Sequence, residues 1–272
     1  TYAFIKNNYL NIPIKFFTGI LLLKMYKYIF VLIYFSSAWG NEIELIDSNL
    51  PIIIIDTFDE TILNEPKITA SMKIIHNDTI NNISDIANHY DGMIGIELRG
   101  HSSLSFPKKQ YSIETRDSTG NNLNVSLFGM PEENDWILHA PYSDKSLIRN
   151  IVAYHIARSL GFYAPRTQLC EVILNGEYLG VYVFIEKIKK DNGRVNVGSP
   201  TDNNITGGYI LEVEAWSRLD SSDIYFSNDI SNKPYVIHFP KETDLTQNQI
   251  NYIHDYLFTF DSALLNDNGF LE

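Results

Sequence analysis

The sequence contains a single cysteine, Cys170, in 272 residues. A lone thiol excludes an intrachain disulfide and a zinc site built from several cysteines. Mostly apolar residues surround it, from Leu169 to Leu174, which favours a buried structural thiol over a nucleophile. The sequence also lacks the His-Glu-x-x-His pattern of zinc hydrolases and the Gly-x-Ser-x-Gly turn of serine hydrolases. These absences remove the commonest hydrolytic chemistries from consideration.

Positive charge is scarce, because 21 Lys and Arg residues face 33 Asp and Glu residues and give a net charge of −12. Neutralising a phosphate backbone requires a broad basic face, so no nucleic-acid partner is expected. The net negative charge still allows a local basic patch around Arg99, Lys108 and Lys109. With 44% hydrophobic residues, the chain can bury one large core or two lobes, which argues against disorder.

Long apolar runs are missing, since neither of the two runs near the start, residues 20–23 and 29–35, reaches the roughly 20 residues of a spanning helix. The second run follows Met25 and a lysine and precedes small residues, which is the layout of a signal peptide. We predict a signal peptide at 25–40, and upstream or expression-derived sequence at 1–24. The mature protein is then secreted or on the cell surface, without a membrane span. The rival interpretation is an uncleaved anchor over 12–35, interrupted by lysines.

Several segments carry the apolar runs or the alternation of β-strands after a predicted linker at residues 41–49. The Asn/Asp-rich stretch 76–91 is a predicted loop, and Asn175-Gly176 is a strong hairpin signal. The predicted strands cover residues 51–56, 67–75, 93–98, 110–115, 172–174, 180–185, 207–214 and 235–239.

Two helices are predicted. Asp144 is the expected N-cap of a helix over 145–160, in which Ile148, Ile151, Val152 and Ile156 recur at helical spacing. Thr246 and Gln249 form the capping box of a second helix that carries Ile250, Ile253 and Leu257. The sequence therefore predicts an α+β fold: a mostly antiparallel sheet with one inserted helix, followed by a helix that begins a second layer.

A hairpin near the middle of the chain combines turn residues with cations. An alternating strand ends at Arg99, a Gly/Ser turn follows, and Lys108 and Lys109 open the next strand. Backbone N–H groups and cations at a hairpin tip can hold phosphates. The same pattern also describes an ordinary solvated turn.

Four further blocks follow this hairpin in a fixed order: Leu127–Leu138, Ala140–Asn150, Leu174–Tyr182 and Ile185–Ile188. Together with the hairpin, they resemble the CotH family of spore-coat-type atypical protein kinases over roughly residues 50–272. The resemblance implies an atypical protein-kinase-like fold, with a mostly antiparallel β N-lobe, an inserted helix and the start of a helical C-lobe. It also implies ATP, Mg²⁺ or Mn²⁺, and phosphorylation of Ser/Thr hydroxyls on extracellular or coat proteins.

On this resemblance, Lys109 is the expected phosphate-binding lysine. Lys108, on the opposite face of the same strand, is the alternative. Arg99 at the turn would steady the terminal phosphate, unless it forms a surface pair with Glu97 or Asp117.

The crossing between lobes is expected at Glu186 and Lys187, whose backbone would bind adenine, although the two residues could simply end a strand. Asp144 and Arg149 are interpreted as a cap and a tether rather than as catalytic groups. Core packing, rather than stacking on the base, is expected of two aromatic residues, Trp136 and Tyr142.

The acid-base and metal-binding aspartates of the family belong to an Asn-plus-Asp loop and a Trp-Asp-x-Asp turn, and neither motif occurs here. We therefore expect a domain truncated before those aspartates, with no catalytic or metal-binding residue within this chain. The alternative function is a non-catalytic structural or adhesion protein of a coat or extracellular assembly. A weaker option is a carbohydrate-binding β module that uses Tyr225 and Phe226.

Overall fold

A computed structural model describes residues 44–227 and 232–265. The predicted upstream segment and signal peptide, residues 1–40, lie outside the described residues. Within the described ranges, neither helix combines the length and the apolar character that crossing a membrane requires.

The described residues form twelve strands and two α-helices. Short 3₁₀ turns cover Ser102–Ser105, Trp216–Arg218 and Glu242–Asp244. The strands are β1 (Asp47–Ser48), β2 (Ile52–Asp56), β3 (Ile68–Ile75), β4 (Asn81–Asn82), β5 (Tyr90–Arg99), β6 (Gln110–Arg116), β7 (Asp135–His139), β8 (Thr167–Leu174), β9 (Glu177–Glu186), β10 (Ile210–Val213), β11 (Tyr225–Phe226) and β12 (Tyr235–Phe239); the helices are α1 (Arg149–Ser159) and α2 (Gln247–Leu265).

Seven strands form a closed sheet in the order β2-β3-β5-β6-β7-β9-β8. Every neighbouring pair is antiparallel except β2 and β8, which run parallel and close the sheet. The predicted α+β class and the mostly antiparallel sheet with an inserted helix, α1 between β7 and β8, are confirmed. The closure was not predicted, and it leaves no free edge among these seven strands.

The interior of the closed sheet is the main hydrophobic core. Trp136, Tyr182 and Phe184 are its largest fully buried side chains, so core packing of Trp136 is confirmed. Cys170 is also fully buried, and burial raises the pKa of its thiol, as expected of a structural cysteine. Tyr142 differs, because it lies in the loop before α1 with 51% of its surface exposed to solvent. The core-packing expectation is wrong for this residue.

A second, smaller core lies between a three-stranded sheet, β10-β12-β11, and helix α2. Its buried members are Tyr235, Ile237, Ile253 and Leu257. One half of the predicted capping box of α2 is present, since the Thr246 N–H donates to Gln249 Oε1 at 2.8 Å.

Helix α1 begins at Arg149, four residues later than predicted. Leu147 has a φ of 62°, which a right-handed helix cannot include. The Asp144 carboxylate lies before the helix and accepts from the N–H groups of Ser146 and Arg149, both at 3.0 Å. It thereby provides a hydrogen-bond acceptor for the first N–H of the helix. The N-cap residue is Ile148, so the predicted N-cap position of Asp144 is wrong, whereas its 3.3 Å ion pair with Arg149 Nε agrees with the predicted tether.

Two segments differ from the predictions, and one predicted hairpin is confirmed. Lys108 and Lys109 precede β6, which begins at Gln110, so they do not lie on opposite faces of a strand. The predicted linker and the predicted loop contribute β1 and β4, which pair with each other. The hairpin of β8 and β9 is confirmed, and its turn residues Asn175 and Gly176 have φ values of 51° and 81°, as a type I′ turn requires.

Candidate functional site

A cavity of about 490 Å³ lies against the outer face of the closed sheet. Its floor includes Gln110, Ile137, His139 and Ile185, strand residues that alternate with the side chains of the interior core. Helix α1 supplies Asn150 and Tyr154 to one side. The opposite side comes from the segment around the three-stranded sheet: Ile210, Leu211, Glu212, Arg218 and His238.

Arg99 lines this cavity from the end of β5, and its residue is exposed. Its guanidinium has no hydrogen-bond or ion-pair partner among the residues that the structure describes. Neither predicted surface partner is engaged with it, because Glu97 pairs with Lys67 at 3.2 Å and Asp117 accepts hydrogen bonds within its own turn. Arg99 is therefore a cation available to an anionic ligand.

The two lysines of the predicted phosphate loop lie elsewhere, since neither lines this cavity. Lys108 Nζ donates to the Val181 carbonyl at 2.6 Å and lies 4.4 Å from the centroid of the Tyr182 ring. Burial lowers its pKa. Lys109 Nζ donates to the Leu104 carbonyl at 2.6 Å. Both ammonium groups thus fasten the connection between β5 and β6 to nearby backbone.

Glu186 and Lys187 line the cavity together with Arg99. The buried Glu186 carboxylate accepts from Arg166 Nη1 at 2.8 Å and from the Arg166 N–H at 2.7 Å. The Glu186 N–H donates to the Arg166 carbonyl, and the Lys187 carbonyl accepts from Arg194 Nη1 at 2.9 Å. The Glu186 N–H and the Lys187 carbonyl already have intramolecular partners. Any backbone contact with adenine would therefore use the neighbouring N–H and carbonyl groups.

The sequence did not point to Arg218 and His238 as site residues. Arg218 forms an ion pair with Glu214 at 3.0 Å. His238 Nδ1 lies 3.8 Å from Glu212 Oε2. No local pattern marks either residue, because only the packing of the three-stranded sheet brings them to the cavity.

His139 was also missed: it ends β7 and falls between two of the recognised blocks, in neither of them. Its Nδ1 lies 2.7 Å from Gln110 Oε1, and its Nε2 lies 3.3 Å from Asn150 Nδ2. An amide oxygen only accepts, so in this arrangement Nδ1 carries the proton and Nε2 accepts from Asn150. Burial, and then the charge of Arg99, lower the pKa of His139. The ring is therefore neutral at neutral pH.

The charges around the cavity suit an anionic ligand better than a metal ion. Although the Arg99 residue is solvent-exposed, desolvation by the surrounding cavity wall, followed by the repulsion of Arg218, lowers its pKa, while Tyr154 and Glu212 oppose the shift. Within residues 44–227 and 232–265, no group of three or more His, Cys, Asp or Glu side chains could hold a metal ion. No residue of the described part is assigned to Mg²⁺ or Mn²⁺.

Residues 96–269 match the family model described as CotH kinase protein. The match covers more than half of the chain, so the chain belongs to the CotH kinase family, as the sequence blocks indicated. This membership indicates a kinase-like function. A search of the curated proteins found no match. The matched region includes every residue that lines the cavity, but it begins within β5 and leaves β2 and β3 outside.

Proposed function

We propose that this protein is a kinase-like protein whose cavity binds ATP, with the phosphates held by Arg99. The terminal phosphoryl group would pass to Ser/Thr hydroxyls of extracellular or coat proteins. Family membership supports the reaction class and an association with a coat or a surface. The predicted signal peptide supports export.

The observation that carries this proposal is the guanidinium of Arg99, which has no partner among the described residues and lines a cavity of about 490 Å³. Ligand pockets commonly measure about 300–1,000 Å³. A guanidinium presents a planar fork of donors that binds phosphate oxygens in pairs. Arg218, on the opposite side of the cavity, provides a second cation.

The phosphate role therefore moves from Lys109, where the resemblance placed it, to Arg99. Moving the Lys109 ammonium to a ligand would break its bond to the Leu104 carbonyl, whereas Arg99 would lose no partner that lies within the described residues. Phosphoryl transfer depends mainly on positioning and on stabilising negative charge. In this chain, Arg99 would orient the phosphates and the apolar residues Ile137 and Ile185 would exclude water beside them.

ATP in such sites is accompanied by Mg²⁺ or Mn²⁺, which neutralises the charge that develops on the phosphates. The kinase-like arrangement of two lobes belongs to this proposal as well. The closed sheet would correspond to the N-lobe, and the three-stranded sheet with α2 to the beginning of the second layer.

Calorimetric titration with ATP and Mg²⁺ tests the proposal. We expect Arg99→Ala to weaken ATP binding by at least about tenfold, since a charge-assisted hydrogen bond contributes about 1.5–3 kcal/mol. Lys109→Ala is the matched control, and it should change the affinity by less than about twofold.

Two results would contradict this assignment. If Lys109→Ala abolishes binding while Arg99→Ala does not, the lysine is the phosphate ligand after all. If the unaltered protein gives no heat with ATP and either cation, nucleotide binding is wrong and the structural or adhesion function is favoured.

A further inference from the structure

We propose that His139 is an additional anion-binding residue of the cavity, and that its protonation strengthens the binding of phosphate-bearing ligands. This inference rests on the proposed nucleotide function, which it extends by adding a pH dependence. No part of the sequence resemblance assigns a role to this residue.

The two hydrogen-bond partners of His139 allow both of its protonation states. Gln110 Oε1 accepts from Nδ1–H at 2.7 Å in either state. Asn150 now donates to Nε2 from 3.3 Å, and turning its amide by half a revolution would present Oδ1 to a protonated Nε2. Charging the ring therefore leaves no hydrogen bond unmade. A histidine held by a carboxylate would differ, because its charge would already be neutralised inside the protein.

Burial, and then the charge of Arg99, lower the pKa of His139 and keep the ring neutral without a ligand. The nearest cationic influence is Arg99, and Asp144 opposes it weakly. A bound polyphosphate would reverse this balance, because its negative charge attracts the protonated ring. The titratable and charged groups around the cavity, beyond Arg99 and Asp144, are Tyr154 on α1, Glu186 and Lys187 at the end of β9, and Glu212, Arg218 and His238 on the opposite side.

Proton binding and anion binding are thus coupled at one place. If the ligand favours the charged form of His139, protonation favours the ligand by the same factor. Acidification from about pH 8 to about pH 6 crosses the ordinary titration range of histidine. The affinity of the cavity for phosphates should therefore rise over this interval through His139.

His238 offers a matched control within the same cavity. It lines the cavity from β12, with Nδ1 3.8 Å from Glu212 Oε2, so a carboxylate already faces its ring. Replacing either histidine with glutamine removes one titrating group and keeps a hydrogen-bonding side chain of similar length.

The experiment is calorimetric titration of ATP into the unaltered protein, His139→Gln and His238→Gln at about pH 8 and about pH 6. The ligand's own titration is common to all three proteins and cancels in their ratios. We expect the unaltered protein and His139→Gln to agree within about twofold at the higher pH. At the lower pH the unaltered protein should bind about three- to fivefold more tightly than His139→Gln. A ligand-induced pKa rise of about one unit allows at most about tenfold, which is reached only below the pKa of the free ring. His238→Gln should follow the unaltered protein.

An NMR titration of the His139 Cε1–H signal, with and without ATP, gives a readout that does not depend on a variant. The pKa of His139 should be higher in the ATP complex. Equal pH dependence in the unaltered protein and His139→Gln, or an unchanged titration of the ring, would overturn this inference while leaving the proposed function intact. Loss of the pH effect in His238→Gln alone would assign it to that histidine instead. Absence of ATP binding at both pH values would overturn both proposals.

Discussion

Asn175 shows how one residue can support the closure of a whole sheet. It occupies the first position of the β8–β9 turn with a φ of 51°. Its Oδ1 accepts from the Thr57 N–H at 2.9 Å, and its Nδ2 donates to Thr57 Oγ1 at 2.9 Å. Thr57 is fully buried directly after β2. The side chain thus connects the two strands whose parallel pairing closes the sheet.

Replacing Asn175 with alanine should lower the free energy of unfolding by about 3–4 kcal/mol. Two hydrogen bonds contribute about 1 kcal/mol each, and alanine adds about 1–2 kcal/mol of strain at a positive φ. Urea denaturation measures this loss. Asn175→Gly is the control, because glycine removes the hydrogen bonds without the strain and should cost less. An equal cost for both variants would show that backbone strain has no part in the effect.

At the scale of a single element, helix α1 differs from an ordinary amphipathic helix. Val152 and Ile156 are 45% and 53% exposed, although their spacing helped to predict the helix. Ile151 and Tyr154 instead pack on the outer face of the closed sheet, against a buried cluster formed by Ile137, Val183 and Ile185. Apolar periodicity therefore predicted the presence of the helix but did not indicate which side faces the sheet.

This arrangement predicts unequal effects for two isoleucines five residues apart. Ile156→Ala should change the free energy of unfolding by no more than about 0.5 kcal/mol, as for other exposed positions. Ile151→Ala should cost about 2 kcal/mol, because it removes packing against the sheet. Thermal and urea denaturation of the two variants test the difference. A larger cost at Ile156 would mean that the outer side of α1 is covered in solution.

At the scale of the whole molecule, the chain leaves the closed sheet through a crossover segment, residues 187–209, before β10 begins. Arg194 of this segment is fully buried and lies 4.8 Å from the centroid of the Trp136 ring. Its Nη1 contacts the Lys187 carbonyl at 2.9 Å and Glu133 Oε2 at 3.2 Å. Lys189 adds ion pairs to Glu133 and Asp135 at 2.6 and 2.8 Å. These charges fasten the segment to β7.

Arg194→Met should destabilise the protein by about 1.5–3 kcal/mol, because the buried Glu133 carboxylate loses one of its two charged partners and keeps Lys189. Glu133→Gln combined with Arg194→Met should cost less than Arg194→Met alone, since the double variant removes the charge as well as its partner. Urea denaturation gives the energies, and amide hydrogen exchange should show faster exchange in residues 187–209. If the double variant is the less stable of the two, the pair does not act through its charges.

The sequence by itself determined what depends on neighbouring residues: the periods of the strands, the Asn175-Gly176 turn, one half of the capping box of α2 and the ordered blocks that identify the family. The partners of individual cationic side chains were decided only by the tertiary structure. Lys108 donates to Val181, which is 73 residues away, and no local pattern encodes that contact.

The closure of the sheet was likewise decided by the tertiary structure. It joins Ile52–Ile55 to Glu171–Leu174 in parallel register, across more than a hundred residues of intervening chain. The alternation of apolar and polar residues predicts that a strand forms, but it does not predict which strand lies beside it. Because Arg99, His139 and the opposite side of the cavity come from separate strands and sheets, their meeting is a property of packing rather than of any single stretch of sequence.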